Sequence, residues 1–488
     1  MHCNDKCFSR HNHSTYGILR AISIRMKMKI SHALIVAWVL SACAQAVNPD
    51  DTNASAITWH QHVAPLVAQH CASCHSADNI GSFLQFNDYA TAKTLASVLA
   101  AKVESKEMPP FLAGETEDCQ PKHTWKDDPR LNEQEIALFV DWAANGALEG
   151  DATNPAPLPS PTEKHLSEPY TIFTPDNAFT TPSEPGIEDE FICYVLDPEL
   201  SQTQWIKALE VVPDNTKVVH HVVLFLDNQA QSESLKNDQG WYTCFGGSGT
   251  GSTEIIAAWA PGTPVIEYPT NAGLEIPPGS RLIMQMHYHP IDTAQTDQTQ
   301  LHIQWSQTEP TDKTMVVLRG NNGSLQSDGM GLQAGENDND EVEFRIPANV
   351  AAHKETMRFE VEGSPDSSYR LFMLGNHMHY FGTDMRIYVE RNTVKDNEDA
   401  NECLLQTPKW DYNWQLMYFY DTDNNSAPIV RGGDIIRLEC LYNNTMDNPD
   451  AVKALTERSL TAPIDVGLGE GTLDEMCIAA IGLTIIDE

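Results

Sequence analysis

Residues 218–227 read VVHHVVLFLD. β-Branched and large aliphatic side chains fill this run, with Pro213-Asp214-Asn215 before it and Asp227-Asn228 at its end, the composition of a buried β-strand. Short apolar or alternating runs of the same kind recur at 280–289, 369–388 and 434–442, while helical periodicity nearly vanishes beyond residue 170. That pattern predicts all-β sandwich architecture, and about 320 residues are too many for one ordinary sandwich. Two all-β sandwich subdomains are expected, over 170–310 and 311–488, with their junction near 307–313. No internal repeat suggests a solenoid or propeller.

The histidines of this region are paired. His220-His221 lies inside the quoted run, His287-Tyr288-His289 ends the run RLIMQM, and His377-Met378-His379 follows LFMLGN. In a strand, residues i and i+2 share one face about 7 Å apart, so H-x-H can grip a single ion. Adjacent histidines point to opposite faces unless the backbone twists, which makes HH the weaker pair. One such histidine is as readily a buried ring bonded to a carbonyl; three pairs in one chain point to metal. Imidazole suits zinc, copper, iron and nickel, whereas a thioether selects copper. Met284, Met286, Met378 and Met476 lie around these motifs, although methionine also serves as core filler. With no Asp or Glu close to the histidine motifs, a facial-triad iron site or a zinc hydrolase is less attractive. Copper with redox chemistry leads.

The succession HHVVLF, QMHYHP, HMHYFG and Asp474-Glu475-Met476-Cys477 resembles the copper type II, ascorbate-dependent monooxygenases, which include the peptidylglycine α-hydroxylating and dopamine β-monooxygenases. The resemblance covers roughly residues 167–488 and keeps motif order. It implies jelly-roll-like sandwiches, with one copper held by His220, His221 and His287 for electron storage. A second copper, held by His377, His379 and Met476, would activate O2 for hydroxylation of a small organic substrate. It also implies a Cys440–Cys477 disulfide beside the methionine ligand. Two departures stand out. His289 takes the place of a common Gly, as an extra ligand or as a residue behind the ligands. Peptide-hydroxylating members hold a substrate carboxylate with residues at positions that are Gly375, Ile478 and Ala480 here, so a peptide C-terminus is an unsuitable substrate. Gln285 matches a family position and is read either as a water or substrate contact or as a polar strand residue. Of the other cysteines, Cys193 with Cys244 is a conjecture, and Cys119 and Cys403 have no assigned partners.

Outside the β region, Cys71-Ala72-Ser73-Cys74-His75 is a C-x-x-C-H haem attachment motif. Val63, Leu66, Val67 and His70 make a helical stripe leading into it. Asn132 and Glu135 form a capping-box start for Ile136, Phe139, Val140 and Ala143, and Gly146 stops that helix. This arrangement resembles a class I cytochrome c and implies a small all-α cytochrome c domain over 47–150, binding one covalent haem c. Met108, in a Pro-fixed loop, is the expected axial ligand and His123 its rival. Residues 151–169, rich in Pro, Ser, Thr and acids, read as a linker.

From Met26, residues 1–46 end in a presequence: Lys27 and Lys29, an apolar run from Ala33 to Leu40, then small residues. Leu40-Ser41-Ala42-Cys43 resembles a lipobox that would lipidate Cys43 and attach the chain to a membrane; Ala44-Gln45-Ala46 fits ordinary cleavage. Either reading exports the protein to the periplasm or outer envelope, where disulfides are permitted. The 488 residues carry 31 Lys+Arg against 68 Asp+Glu, a formal charge of −37, which disfavours nucleic acid as a partner. The expectation is an exported haem- and copper-containing monooxygenase, with an external donor reducing the haem. Its rival is a non-catalytic electron-transfer or copper-binding protein on the same fold.

Overall fold

The computed structural model describes residues 56–488 apart from 77–80, 82, 160–164, 184–188, 252, 264, 322, 423–426 and 487–488. The expected presequence, Cys43 included, lies outside the described residues.

One ten-stranded sheet runs through both halves of the β region. Its crossing point is the strand Asp312–Gly320, parallel to Ala272–Ile276 on one side and antiparallel to Ile478–Ile486 on the other. In the first half a five-stranded sheet accompanies it, with Arg281–Tyr288 between Glu190–Leu196 and Val219–Asp227. Leu282, Met284 and Met286 of that sheet meet Ile206, Leu209 and Ile303 of the long one in a common core. In the second half, another five-stranded sheet, with Ile435–Asn444 between Val350–Glu360 and Gly382–Glu390, packs Leu438 and Ile387 against Leu371, Leu374 and Ile481. Phe372, Met373, Phe419 and Ala480 of the second half also join the first core, so the halves share packing as well as a sheet.

The small all-α cytochrome c domain expected over 47–150 is not seen. The chain is mostly β-sheet with 13% helix, and residues 56–488 form one compact unit. Helices do occur in this stretch: Ala64–His70, Tyr89–Thr94, Ala96–Glu104 and Glu133–Ala144, the last with the Asn132–Glu135 capping box formed. They gather Val67, Val103, Phe139 and Trp142 into an apolar cluster. The reason they make no separate domain lies between them. Residues 111–126 leave the helices and run along the second β half, where Ala113 enters the core and Phe111 and Trp125 pack against it.

This segment is fastened throughout. Gly114 N–H donates to the Gln406 carbonyl (2.9 Å) and Lys126 N–H to that of Phe419 (2.7 Å). Cys119 is disulfide-bonded to Cys403, His123 Nε2 lies 2.8 Å from Glu402 Oε1, and Trp125 stacks on Tyr420 with centroids 4.6 Å apart. The 151–169 stretch is therefore not the only connection between helices and sheets. Trp125→Ala should cost about 3 kcal/mol, the lower end for deletion of a large aromatic, because the ring is only partly buried. The check is a lowered melting temperature together with faster proteolysis within 105–130. Among the described residues, no helix is long and apolar enough to cross a membrane.

Candidate metal centre

Period-two alternation puts Met284, Met286 and Tyr288 into the first core and turns Gln285 and His287 to the other face. His287 pairs with His221, but the next residue, Tyr288, pairs with Val219, so the Val219–Asp227 strand carries one extra residue at His220. Such a bulge re-aims side chains. It overcomes the alternation that would set adjacent histidines on opposite faces. The Nδ1 atoms of His220, His221 and His287 come together in a triangle with all three edges 3.2 Å. An imidazole Nδ1 either donates or accepts, so three mutual contacts cannot all be hydrogen bonds. The spacing of the three nitrogens suits imidazole–metal bonds of about 2.0 Å, so His220, His221 and His287 could together hold one ion.

Burial keeps these rings neutral: it pushes His220 down to about 2, His221 well below the usual imidazole range, and His287 down to about 4 against the pull of Asp189. Asp189 Oδ1 accepts from His287 Nε2 at 2.7 Å and lies 3.0 Å from His289 Nε2. Burial alone would raise this carboxyl, but the two histidine hydrogen bonds outweigh it and hold it well below the usual carboxylate range. The Asp189 bond fixes His287 as the Nε2–H tautomer and points its Nδ1 lone pair at the cluster. His289 stacks on His220 at 4.0 Å and, with His220 and His287, places ligand atoms within 4.8 Å of one another. The Nδ1 triangle is the tighter set, and His289 directs its Nε2 to Asp189. Asp189→Ala should weaken copper binding at this site by about 10–100-fold, measured by titration against a copper chelator.

The second set sits where Ser368–His377 ends beside Ile478–Ile486, with His377 opposite Ile478. Met378 is buried in the second core, which turns His377 and His379 to the opposite side, their centroids 5.2 Å apart. His379 Nδ1 donates to the Asp474 carbonyl and His377 Nδ1 to Gln415 Oε1, both at 3.0 Å, so each ring presents its Nε2 lone pair. Burial lowers both, His377 to about 3. Met476 is buried; Tyr442 Oη donates to its carbonyl at 2.8 Å, and its neighbour Cys477 is bonded to Cys440. Glu475 is fully buried and accepts the N–H groups of His379, Phe381 and Met476; burial pushes its carboxyl up to about 8 despite those bonds.

Sequence reasoning missed Asp189, Gln415 and Tyr412, whose ring lies 5.7 Å from that of His220 and 6.2 Å from that of His379, and it gave Glu475 no role within its motif. The loop 408–416 supplies two of them, and its Trp410 donates Nε1–H to the His379 carbonyl at 3.1 Å. Gln285 is engaged within the fold. Its amide donates to the carbonyls of Cys244 (2.7 Å) and Gly247 (2.9 Å), in the loop after Cys244, itself bonded to Cys193. At Gly375 a Cβ would lie 2.3 Å from the Met417 sulfur, so that sulfur fills the place where a carboxylate-clamping side chain would begin.

In the helical layer, Cys71 and Cys74 are half-buried and stand outside the three disulfides, with the Cys71 thiol pushed up to about 12 by burial and by Cys74. His75 Nδ1 donates to the Leu84 carbonyl at 3.0 Å, leaving Nε2 as the lone-pair nitrogen, and its ring lies 4.7 Å from Phe86. Met108 lines a cavity of about 190 Å³ with Val103, Leu131 and Ile136. His123, the rival ligand, is instead engaged with Glu402.

Among solved structures, the major capsid protein P2 from bacteriophage PM2 aligns over 65% of this chain and 98% of its own at 8% identity, with a TM-score of 0.20. PNGase F, a glycosylasparaginase from Flavobacterium meningosepticum, aligns over 65% of this chain and 89% of its own at 10% identity, with a TM-score of 0.18. No curated protein matches the chain. Residues 177–295, which carry Asp189 and the His220, His221 and His287 triangle, match the family model of the copper type II ascorbate-dependent monooxygenase, N-terminal domain.

Proposed function

We propose that the whole β region is a copper monooxygenase that hydroxylates a C–H bond of a small organic substrate with O2. His220, His221 and His287 hold one copper, and His377, His379 and Met476 a second. The observation that carries this reading is the triangle of Nδ1 atoms, whose three contacts cannot all be hydrogen bonds and which a single cation would satisfy together. Copper supplies one-electron redox chemistry and O2 activation when bound. The chain's own contribution is tautomer control. Asp189 directs His287 through Nδ1, whereas Gln415 and the Asp474 carbonyl direct His377 and His379 through Nε2. Met476 adds the soft donor that suits Cu(I). Met417 at Gly375 leaves no room for a carboxylate clamp, which fits a substrate other than a peptide C-terminus.

Covalent haem c at Cys71, Cys74 and His75, with Met108 as axial ligand, belongs to the same proposal, carried on the helical layer of the compact unit. The His75–Leu84 bond gives the ring the tautomer a proximal ligand needs. An external donor would reduce the haem. The three disulfides fit an oxidising compartment, in keeping with export and, through Cys43, a lipid anchor. The purified protein is expected to hold two coppers and one haem per chain. Haem removed by acid acetone would refute the attachment, and zinc filling both imidazole sets in copper-supplied protein would refute the copper assignment.

A further inference from the structure

Away from the histidine sets, the strand Val350–Glu360 buries a carboxyl group with no Lys or Arg against it. Glu355 is 1% exposed. Its Oε1 accepts His353 Nε2–H at 2.7 Å and the Arg345 backbone N–H at 3.2 Å. His353 in turn accepts the Asn337 amide at Nδ1 (2.9 Å), the donor–acceptor arrangement of an uncharged imidazole. The Arg345 guanidinium turns elsewhere, to Asp465 and the Asn337 carbonyl. Among the described residues, Glu355 Oε2 has no hydrogen-bond partner.

That oxygen faces the loop 333–343. Asp338 Oδ2 closes the loop by accepting the Gly335 N–H at 2.9 Å. A Cβ built on Gly335 would meet nothing nearer than Asp338 Oδ1 at 3.4 Å and Glu355 Oε2 at 3.9 Å, so both oxygens border one small void. Burial pushes the Glu355 carboxyl up despite the His353 bond, and the Asp338 charge adds to that rise without a hydrogen bond between the two groups. A shared proton needs oxygens within about 3 Å of each other. A hard cation spans a wider gap, with a bond of about 2.3–2.6 Å to each oxygen. Glu336, Asp340 and Glu341, exposed on the same loop, add negative charge.

We infer that Glu355 Oε2 and Asp338 Oδ1 are the protein ligands of a calcium ion whose shell is completed by water. Calcium fits better than magnesium because it accepts irregular oxygen sets and gives up water more readily, and carboxylate donors do not suit the softer metals of the histidine sets. The position gives the ion a task. Glu355 lies opposite Cys440 and His353 opposite Tyr442 on the neighbouring strand. Cys440 and Tyr442 are the groups that hold Cys477 and the Met476 carbonyl. The ion ties the loop to the strand that backs the Met476 segment.

The test is calcium titration by calorimetry, with melting temperatures, on full-length protein first dialysed against a chelator. Wild type is expected to bind one calcium ion per chain with a Kd of about 10⁻⁴–10⁻³ M, the range of extracellular calcium modules, and to melt higher as calcium is added. Glu355→Gln is expected to lose this binding, and Asp338→Asn to weaken it by about 10-fold or more. Wild type that takes up no calcium at about 10 mM would overturn the inference and leave a proton as the neutralising partner. Binding as tight in either variant as in wild type would also overturn it, by placing the ion elsewhere. Asp338 stands in a loop outside the core, so Asp338→Asn decides the question even where Glu355→Gln does not fold.

Discussion

Met476→Ile is expected to bring oxygenation down by about 1000-fold or more, equivalent to about 4 kcal/mol of transition-state stabilisation. Exchange of one apolar side chain for another of similar volume costs under about 1.5 kcal/mol in a core, so the fold survives. The Met476 backbone is held independently of its side chain, by Tyr442 at its carbonyl, Glu475 at its N–H and the Cys440–Cys477 bond next to it. The substitution therefore removes the thioether and little else. The first set draws its three nitrogens from the Val219–Asp227 and Arg281–Tyr288 strands and should keep its copper. Metal analysis should fall from two coppers toward one, with the haem spectrum unchanged. Equal loss from both sets would show Met476 to be structural.

The second large effect is on stability. Glu475→Ala removes one carboxyl group that serves three buried N–H groups, those of His379 (2.8 Å), Phe381 (2.7 Å) and Met476 (3.1 Å). A buried donor left unpaired costs about 1–3 kcal/mol, so with three of them the variant should lose about 3–9 kcal/mol. The turn that carries His379 loses its anchor at the same time, so second-site copper should go with it. Glu475→Gln keeps one acceptor oxygen and should retain more of both. Urea unfolding of the metal-free protein separates the two effects; an alanine variant within about 1 kcal/mol of wild type, the least that one unpaired donor costs, would show that the turn holds itself.

The β architecture was legible because Val, Ile and Leu runs bounded by turn residues have few other homes, and VVHHVVLFLD is such a run. The histidine pairs were legible as candidate metal ligands, but not how HH could act on one ion. That depends on the extra residue at His220, and a bulge is set by pairing with His287, a residue 67 positions away. Asp189 gave no local signal, for it stands 98 positions before its partner. Tyr412 was more accessible: the loop PKWDYNWQ is unusually aromatic, and that density was the available clue. The helices read leading into Cys71 and from Asn132 to Gly146 are present, whereas Tyr89–Thr94 and Ala96–Glu104 were not read, and the separate all-α haem domain failed. Phe111-Leu112-Ala113 would suit a cover over the helices as well as it suits the second core, and only the tertiary fold decides. The Cys119–Cys403 bond that seals the choice spans 284 residues and could not be paired by spacing.

The central claim is oxygenation at the pair of imidazole sets, and single turnover with labelled oxygen tests it most directly. Protein holding two coppers is fully reduced without oxygen, mixed with a panel of small organic substrates, exposed once to 18O2, and the products are weighed by mass spectrometry. The account predicts a hydroxylated product carrying one 18O atom from wild type and none from Met476→Ile. Reoxidation of copper with no labelled product from any substrate of the panel, or equal labelling by both proteins, would contradict it.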